Sequence, residues 1–292
     1  MPSQGEQAND MHGLVAHEGR PMPGQQMPPS LSEFMARYRR LFVLTGAGCS
    51  TDSGIPDYRD ANGDWKRSPP VSFQAFMGSA AMRQRYWARS YVGWPRFQRA
   101  GPNGAHDALA RLEQQDRLEL LVTQNVDGLH QAAGSVQVID LHGRLDRVRC
   151  TDCDSLESRE ELQAELTVRN AHWSKLQAQS APDGDADLEE LSFQEFVVPM
   201  CARCGGVLKP DVVFLGESVP RHRVDAAMQA LERADAVLVV GSSLMMYSGY
   251  RFVRAAARSG KAIAAVNLGR TRADDLLTLK VSEPCAQALA AV

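Results

Sequence analysis

Leu41-Phe42-Val43-Leu44-Thr45-Gly46-Ala47-Gly48 is a short apolar run that ends in a threonine and two closely spaced glycines. A run this brief and this apolar suits a strand buried on both faces. Glycines at its end permit a tight turn, and at the start of a helix they let backbone N–H groups approach a pyrophosphate. The segments 118–122, 136–139, 236–240 and 262–266 read the same way. They run into Thr123-Gln124-Asn125, Asp140-Leu141-His142, Gly241-Ser242-Ser243 and Asn267-Leu268-Gly269. Helical patterns over 105–115, 223–233 and 249–259 fall between them, and 31–38 opens the ordered part with a serine cap and helical spacing. This alternation predicts an α/β fold, a doubly wound, mainly parallel Rossmann-like sheet covered on both faces. Such sheets bind ligands beyond the carboxyl ends of their strands, so the polar strand ends are expected on one rim.

The rhythm breaks between about 144 and 215, a stretch that holds Cys150-x-x-Cys153 and Cys201-x-x-Cys204. Two close pairs separated by a long loop suit tetrahedral zinc better than disulfides. Four thiolates would close the coordination shell, which makes the expected metal structural, one per chain. The chain therefore divides into a flexible tail (1–30), a sheet part (about 31–143 and 216–292) and a smaller inserted zinc-binding module (about 144–215), which also carries the acidic stretch Ala181-Pro182-Asp183-Gly184-Asp185-Ala186-Asp187.

With 292 residues, 44% of them hydrophobic, the chain can bury a large core without staples. Its 32 basic and 35 acidic residues give a formal charge of −3, which offers no excess positive charge to a phosphate backbone, so a nucleic-acid partner is not expected. No apolar run approaches the ~20 residues of a membrane span. The proline-rich tail has no apolar signal core, and it carries Glu6, Asp10 and Glu18 against Arg20 alone, so cytoplasmic residence is the expectation.

Thr51 stands where a dehydrogenase fingerprint would place its third glycine, which disfavours hydride transfer, and the Gly46-Ala47-Gly48 turn taken alone also suits simple strand packing. A lone histidine is usually structural. His142, however, stands at a strand end near Gln124, Asn125 and Asp127, where amides and a carboxylate can hold a carboxamide and a ribose, and an imidazole can take a proton from a sugar hydroxyl. His130 has no strand-end position and reads as packing. Asp57-Tyr58-Arg59 follows a proline turn, either facing a ligand or simply solvated. Cys49 and Cys285, outside the pairs, have the character of small buried side chains.

From Gly46 to Arg59, from Thr123 to His130, and at Leu141-His142-Gly143, Val213-Phe214-Leu215-Gly216-Glu217 and Gly241-Ser242-Ser243, the chain resembles the sirtuins, NAD-dependent protein-lysine deacylases. Within them, Val92-Gly93-Trp94-Pro95 and Tyr247-Ser248-Gly249-Tyr250-Arg251-Phe252 look like the class II branch that includes human sirtuin 4. The resemblance implies NAD lying along the rim, with the segment from Gly46 through Ala47 and Gly48 to Ser50, together with Ser242 and Ser243, at the phosphates. It places Asn267 at the adenine ribose and Asn125 and Asp127 near the nicotinamide. Further NAD contacts are implied for Asp57, Tyr58, Arg59, Gln124, Val126, Gly241, Leu268, Gly269 and Cys285. It makes His142 the general base and gives Asn125 a catalytic part. Val213, Phe214, Leu215, Gly216 and Glu217 would pair with an acyl-lysine peptide as an added strand. Tyr86 and Arg89, three apart on one helix face, would meet an acidic acyl group. The same spacing suits a solvated face crowded by Arg83, Arg85 and Arg96. Products would be free lysine, nicotinamide and O-acyl-ADP-ribose. ADP-ribosyl transfer to protein, or NAD sensing without turnover, are the alternative readings.

Overall fold

The structure, a computed structural model, describes residues 30–175, 184 and 192–290. The tail up to residue 29, and the acidic stretch other than Gly184, lie outside the described residues. Strands β1 (Leu41–Thr45), β2 (Leu118–Thr123) and β3 (Val138–Asp140) come first in the chain. Next are β4 (Gly143–Cys150), β5 (Leu156–Ser158) and β6 (Leu208–Val212), and the chain closes with β7 (Ala236–Val240), β8 (Ala262–Val266) and β9 (Leu279–Val281). The helices are α1 (Leu31–Arg37), α2 (Phe73–Gly78), α3 (Ala80–Phe97), α4 (Gly104–Gln114), α5 (Leu129–Ala132), α6 (Arg159–Arg169), α7 (Arg221–Arg233), α8 (Tyr247–Arg258) and α9 (Cys285–Leu289).

Six strands form one parallel sheet in the order β3-β2-β1-β7-β8-β9. The order reverses between β1 and β7, as in the Rossmann fold, and a crevice opens there. Alternation along β1 explains how both faces are covered. Leu41 and Val43 join Phe34, Leu109 and Leu289, from α1, α4 and α9. Phe42 and Leu44 join Leu231, Phe252 and Val253, from α7 and α8. β7 repeats the division, with Leu238 and Val240 on one face and Val237 and Val239 on the other.

A second body is built on the antiparallel sheet β5-β4-β6. Its core combines Val148, Leu162, Leu166, Phe196 and Leu208 with Phe76 of α2 and Trp87, Tyr91 and Trp94 of α3. Positions 87, 91 and 94 repeat at helical spacing, so α3 presents one aromatic stripe to this core. Trp87 donates its indole N–H to the Leu208 carbonyl (3.2 Å), and the buried Arg159 guanidinium lies 4.9 Å from the Trp94 ring. The segment around 73–97 was expected with the sheet part, yet its aromatic side chains pack into the smaller body.

Two further differences are local. The strand expected at 136–139 is Val138–Asp140, because the Glu113 carboxylate accepts from the Val136 and Gln137 N–H groups and leaves Val136 85% exposed. The edge strand β9 had no counterpart in the sequence reading.

Candidate functional site

At the reversal point the turns after β1 and β7 interlock. Gly46 N donates to Val240 O (3.0 Å) and Gly48 N to Gly241 O (2.8 Å). A Cβ on Gly241, where φ is +62°, would stand 2.2 Å from Cys49 N, so this turn requires glycine. No α-helix starts here. The chain instead makes two 3₁₀ turns, Ala47–Cys49 and Thr51–Ser53, which corrects the expectation of a helix start behind the glycine turn. That turn therefore packs against its neighbour as well as lining the crevice.

The crevice widens into a cavity of about 990 Å³ between the two bodies. Gly46, Ala47, Gly48 and Ser50 line it, and so do Asp57, Tyr58 and Arg59 on the facing loop. That loop is internally tied: Lys66 pairs with Asp57, and Arg59 bonds to Gly63 O (2.7 Å) with its guanidinium 3.9 Å from the Trp65 ring. Gln124, Asn125, Val126 and Asp127 enter from the end of β2, His142 from the end of β3, and Gly241, Ser242 and Ser243 from the end of β7. Asn267, Leu268, Gly269 and Cys285 line the far end. Val213, Phe214, Leu215, Gly216 and Glu217 border it from the smaller body, and Tyr86 reaches it from α3. Among the described residues Arg89 is not part of the lining. Ser248 and Arg251 of α8, and Phe97 and Leu145 of the smaller body, line the cavity without having been singled out as site residues. The only sequence signal for Ser248 and Arg251 was the Tyr247–Phe252 motif.

The polar side chains form two short networks. Asn125 Nδ2 donates to Gly46 O (3.1 Å) and Ser50 Oγ (3.0 Å), and Ser50 Oγ donates to Asp127 Oδ2 (2.7 Å). Asp127 Oδ1 accepts from Leu129 N (3.0 Å). Ser242 Oγ donates to Gln124 Oε1 (2.6 Å). His142 Nδ1 lies 2.9 Å from the Gln124 carbonyl oxygen, which can only accept. This assigns the proton to Nδ1 and leaves Nε2 with a lone pair facing Ser248 Oγ at 2.8 Å. Desolvation, aided by the positive charges of Arg223 and Arg251, lowers the His142 pKa to about 4, so the ring is a neutral base at physiological pH. The next residue, Gly143, has φ +85°, and a Cβ there would fall 2.0 Å from Asp211 O.

His130 is packed in the sheet body, with Nε2 2.8 Å from Thr45 Oγ1. Burial, then the neighbouring His106, lowers its pKa to about 3. Donor atoms of Cys49, His106 and His130 lie within 4.8 Å of one another. Asn103 N donates to His106 Nδ1 (3.2 Å), which puts the His106 proton on Nε2, so that nitrogen does not present the lone pair a metal ion needs.

The loop 213–217 is braced from beneath. Glu217 Oε2 accepts from Phe214 N (2.9 Å) and from the buried Lys209 Nζ (3.1 Å), while Val213 N donates to His142 O (2.8 Å). In the smaller body the sulfurs of Cys150, Cys153, Cys201 and Cys204 all lie within 4.8 Å of one another. Cys150 and Cys204 are 3.4 Å apart, and Cys153 and Cys201 are 3.8 Å apart. A tetrahedral zinc with ~2.3 Å bonds separates its sulfurs by about 3.8 Å, so the four residues fit the ion. The Ser155 hydroxyl lies 3.2 Å from Cys153 Sγ and 3.5 Å from Cys201 Sγ, and hydrogen bonding with it lowers the pKa of both thiols toward the thiolate form that metals bind.

A Rossmann-type sheet, a cavity at its reversal point and a four-cysteine body across from it define a dinucleotide-using enzyme with a structural metal module. The Sir2 family matches residues 46–248, and the chain belongs to that family. A Xanthomonas campestris protein named NAD-dependent protein deacetylase is 67% identical over 265 residues, covering 91% of this chain and 90% of the relative. A Bordetella bronchiseptica protein of the same name is 66% identical over 263 residues, covering 90% and 96%. The solved structure "Sir2-p53 peptide-NAD+" superposes with a TM-score of 0.73 at 31% identity, over 89% of this chain and 95% of the other. "Sir2 bound to acetylated peptide" gives 0.71 at 31%, over 90% and 97%. Among the described residues no helix is long and apolar enough to cross a membrane.

Proposed function

We propose that this cavity removes acyl groups from protein lysines while consuming NAD. The observation that carries the reading is His142: a neutral imidazole lining the cavity, its unprotonated nitrogen 2.8 Å from Ser248 Oγ, with Asn125, Asp127 and the loop 213–217 in the same lining. NAD lies along the strand ends, with its phosphates against the segment from Gly46 to Ser50 and against Ser242 and Ser243. Asn267 holds the adenine ribose, and Asn125 and Asp127 hold the nicotinamide end. An acyl-lysine peptide pairs with the backbone of 213–217 as an added strand. Its acyl carbonyl oxygen displaces nicotinamide at the ribose anomeric carbon, forming an alkylimidate. His142 Nε2 takes a proton from a ribose hydroxyl, whose oxygen attacks the imidate carbon. Cleavage of the C–N bond releases lysine, water adds to the acyl carbon in its place, and the bond from that carbon to the oxygen on the anomeric carbon breaks, leaving O-acyl-ADP-ribose. Cys150, Cys153, Cys201 and Cys204 hold zinc, which has no open position and takes no part in these steps.

The finer reading is a class II sirtuin resident in the cytoplasm that takes an acidic acyl group, recognised by Tyr86 in the lining and by Arg89 three positions on along α3. The test is mass spectrometry of products from NAD and a panel of acetyl, acidic-acyl, long-acyl and lipoyl lysine peptides, with His142→Ala alongside. Nicotinamide and O-acyl-ADP-ribose should form together and fall away in His142→Ala. ADP-ribose on protein would instead establish transferase chemistry. An Arg89→Met variant with an unchanged ratio of acidic-acyl to acetyl turnover would remove Arg89 from the acyl pocket.

A further inference from the structure

Ser248 stands in the first turn of α8, inside a motif the sequence marked only as a sign of branch. Its half-buried side chain lines the cavity. The hydroxyl lies 2.8 Å from His142 Nε2, the ring nitrogen left unprotonated by the bond to the Gln124 carbonyl. Two neighbours make this approach possible. A Cβ on Gly249 would stand 2.7 Å from the Gln124 side chain, so glycine lets α8 come this close to the end of β2. Ser242 in turn holds the Gln124 amide in place (2.6 Å). Both partners of the imidazole thus belong to the sheet body, whereas His142 itself sits on the connection into β4 of the smaller body. The charged groups acting on the ring are Arg223 of α7 and Arg251 of α8, both cations that take no proton from a hydroxyl.

We propose that Ser248 is the positioning residue for His142: its hydroxyl fixes the imidazole plane with Nε2 turned into the cavity, then yields that bond to the ribose hydroxyl. The inference rests on the reading of His142 as general base. A hydroxyl suits the task because it donates to the neutral ring and, after rotation, accepts from the protonated one. No covalent bond changes in this exchange.

In the reaction proposed above nicotinamide leaves before the ribose hydroxyl is deprotonated, so the effect of Ser248 is confined to the later step. Ser248→Ala should slow O-acyl-ADP-ribose formation about tenfold, while exchange of labelled nicotinamide into NAD and the KM for NAD stay within about twofold. Ser248→Thr keeps a hydroxyl and should restore most of the lost rate. A parallel loss of exchange and product in Ser248→Ala, an unchanged product rate, or failure of Ser248→Thr to restore it would each overturn the proposal. His142→Ala run in the same assays separates the two ideas. Product formed at the wild-type rate by that variant would end the base assignment itself, whereas a loss there with none in Ser248→Ala would end only the role of Ser248.

Discussion

The two bodies of this molecule hold themselves together by different means. The sheet body has consecutive apolar strands whose alternate side chains fill two cores. The smaller body has three antiparallel strands of mixed burial, four thiols and an aromatic helix contributed from residues about fifty positions upstream. Both bodies gather distant segments, but the sheet ties its own together by strand-to-strand hydrogen bonds, whereas the smaller body adds the four thiols to a three-stranded sheet.

The sharpest way to break the comparison is to remove the metal. Chelation, or Cys153→Ser with Cys204→Ser, should cost the smaller body on the order of 10 kcal/mol of local folding energy. Hydrogen exchange should then rise through β4 and β6 while β1 and β7 stay protected; equal loss in both bodies would erase the distinction. Trp87→Ala comes next, at about 3–5 kcal/mol, since it removes a fully buried indole and leaves Leu208 O without its donor. Chemical denaturation should register this loss first in near-ultraviolet signals from the aromatic core. Gly241→Ala should cost roughly 1–3 kcal/mol, through positive φ and the clash with Cys49 N, and it should weaken NAD binding by calorimetry more than peptide binding.

The smallest effect is a matter of pH. The His142 pKa is lowered to about 4, so if this ring is the proposed base, kcat/KM should stay level from neutrality down to about pH 5, without the limb near 6.5 of an ordinary histidine. A limb at 6.5 would place the base elsewhere. The same lowering makes a statement about stability. The unfolded rings of His142 and His130 take protons below about 6.5 while the folded rings do not, so the unfolded state binds more protons as pH falls. Their contribution is complete above that value and is lost as pH falls toward about 4 for His142 and about 3 for His130. The melting temperature should therefore fall with acidification, and less steeply in His130→Gln.

The sequence was most legible where physics is local. Buried parallel strands announce themselves as short apolar runs, and β1, β2, β7 and β8 fall within a residue of the expected segments. Their polar ends form one rim because a parallel sheet aligns its carboxyl ends, and this brought Gln124, Asn125, Asp127 and His142 together in advance. The cysteine pairs were equally plain, since ligand chemistry needs little more than spacing. Three things were hidden. The aromatic stripe of α3 has helical period, but period does not say which core it faces. β9 is a three-residue edge strand with too few side chains to show alternation. Ser248 could not be read because its meaning lies in a contact with a residue 106 positions away.

β3 ends at Asp140 and β4 begins at Gly143, so Leu141 and His142 are the whole of the joint between the two bodies at that point. On the proposed reading a dinucleotide rests mainly on the sheet body and a peptide on 213–217 of the smaller one. The base therefore stands on the joint itself, where the two molecules it acts between must meet.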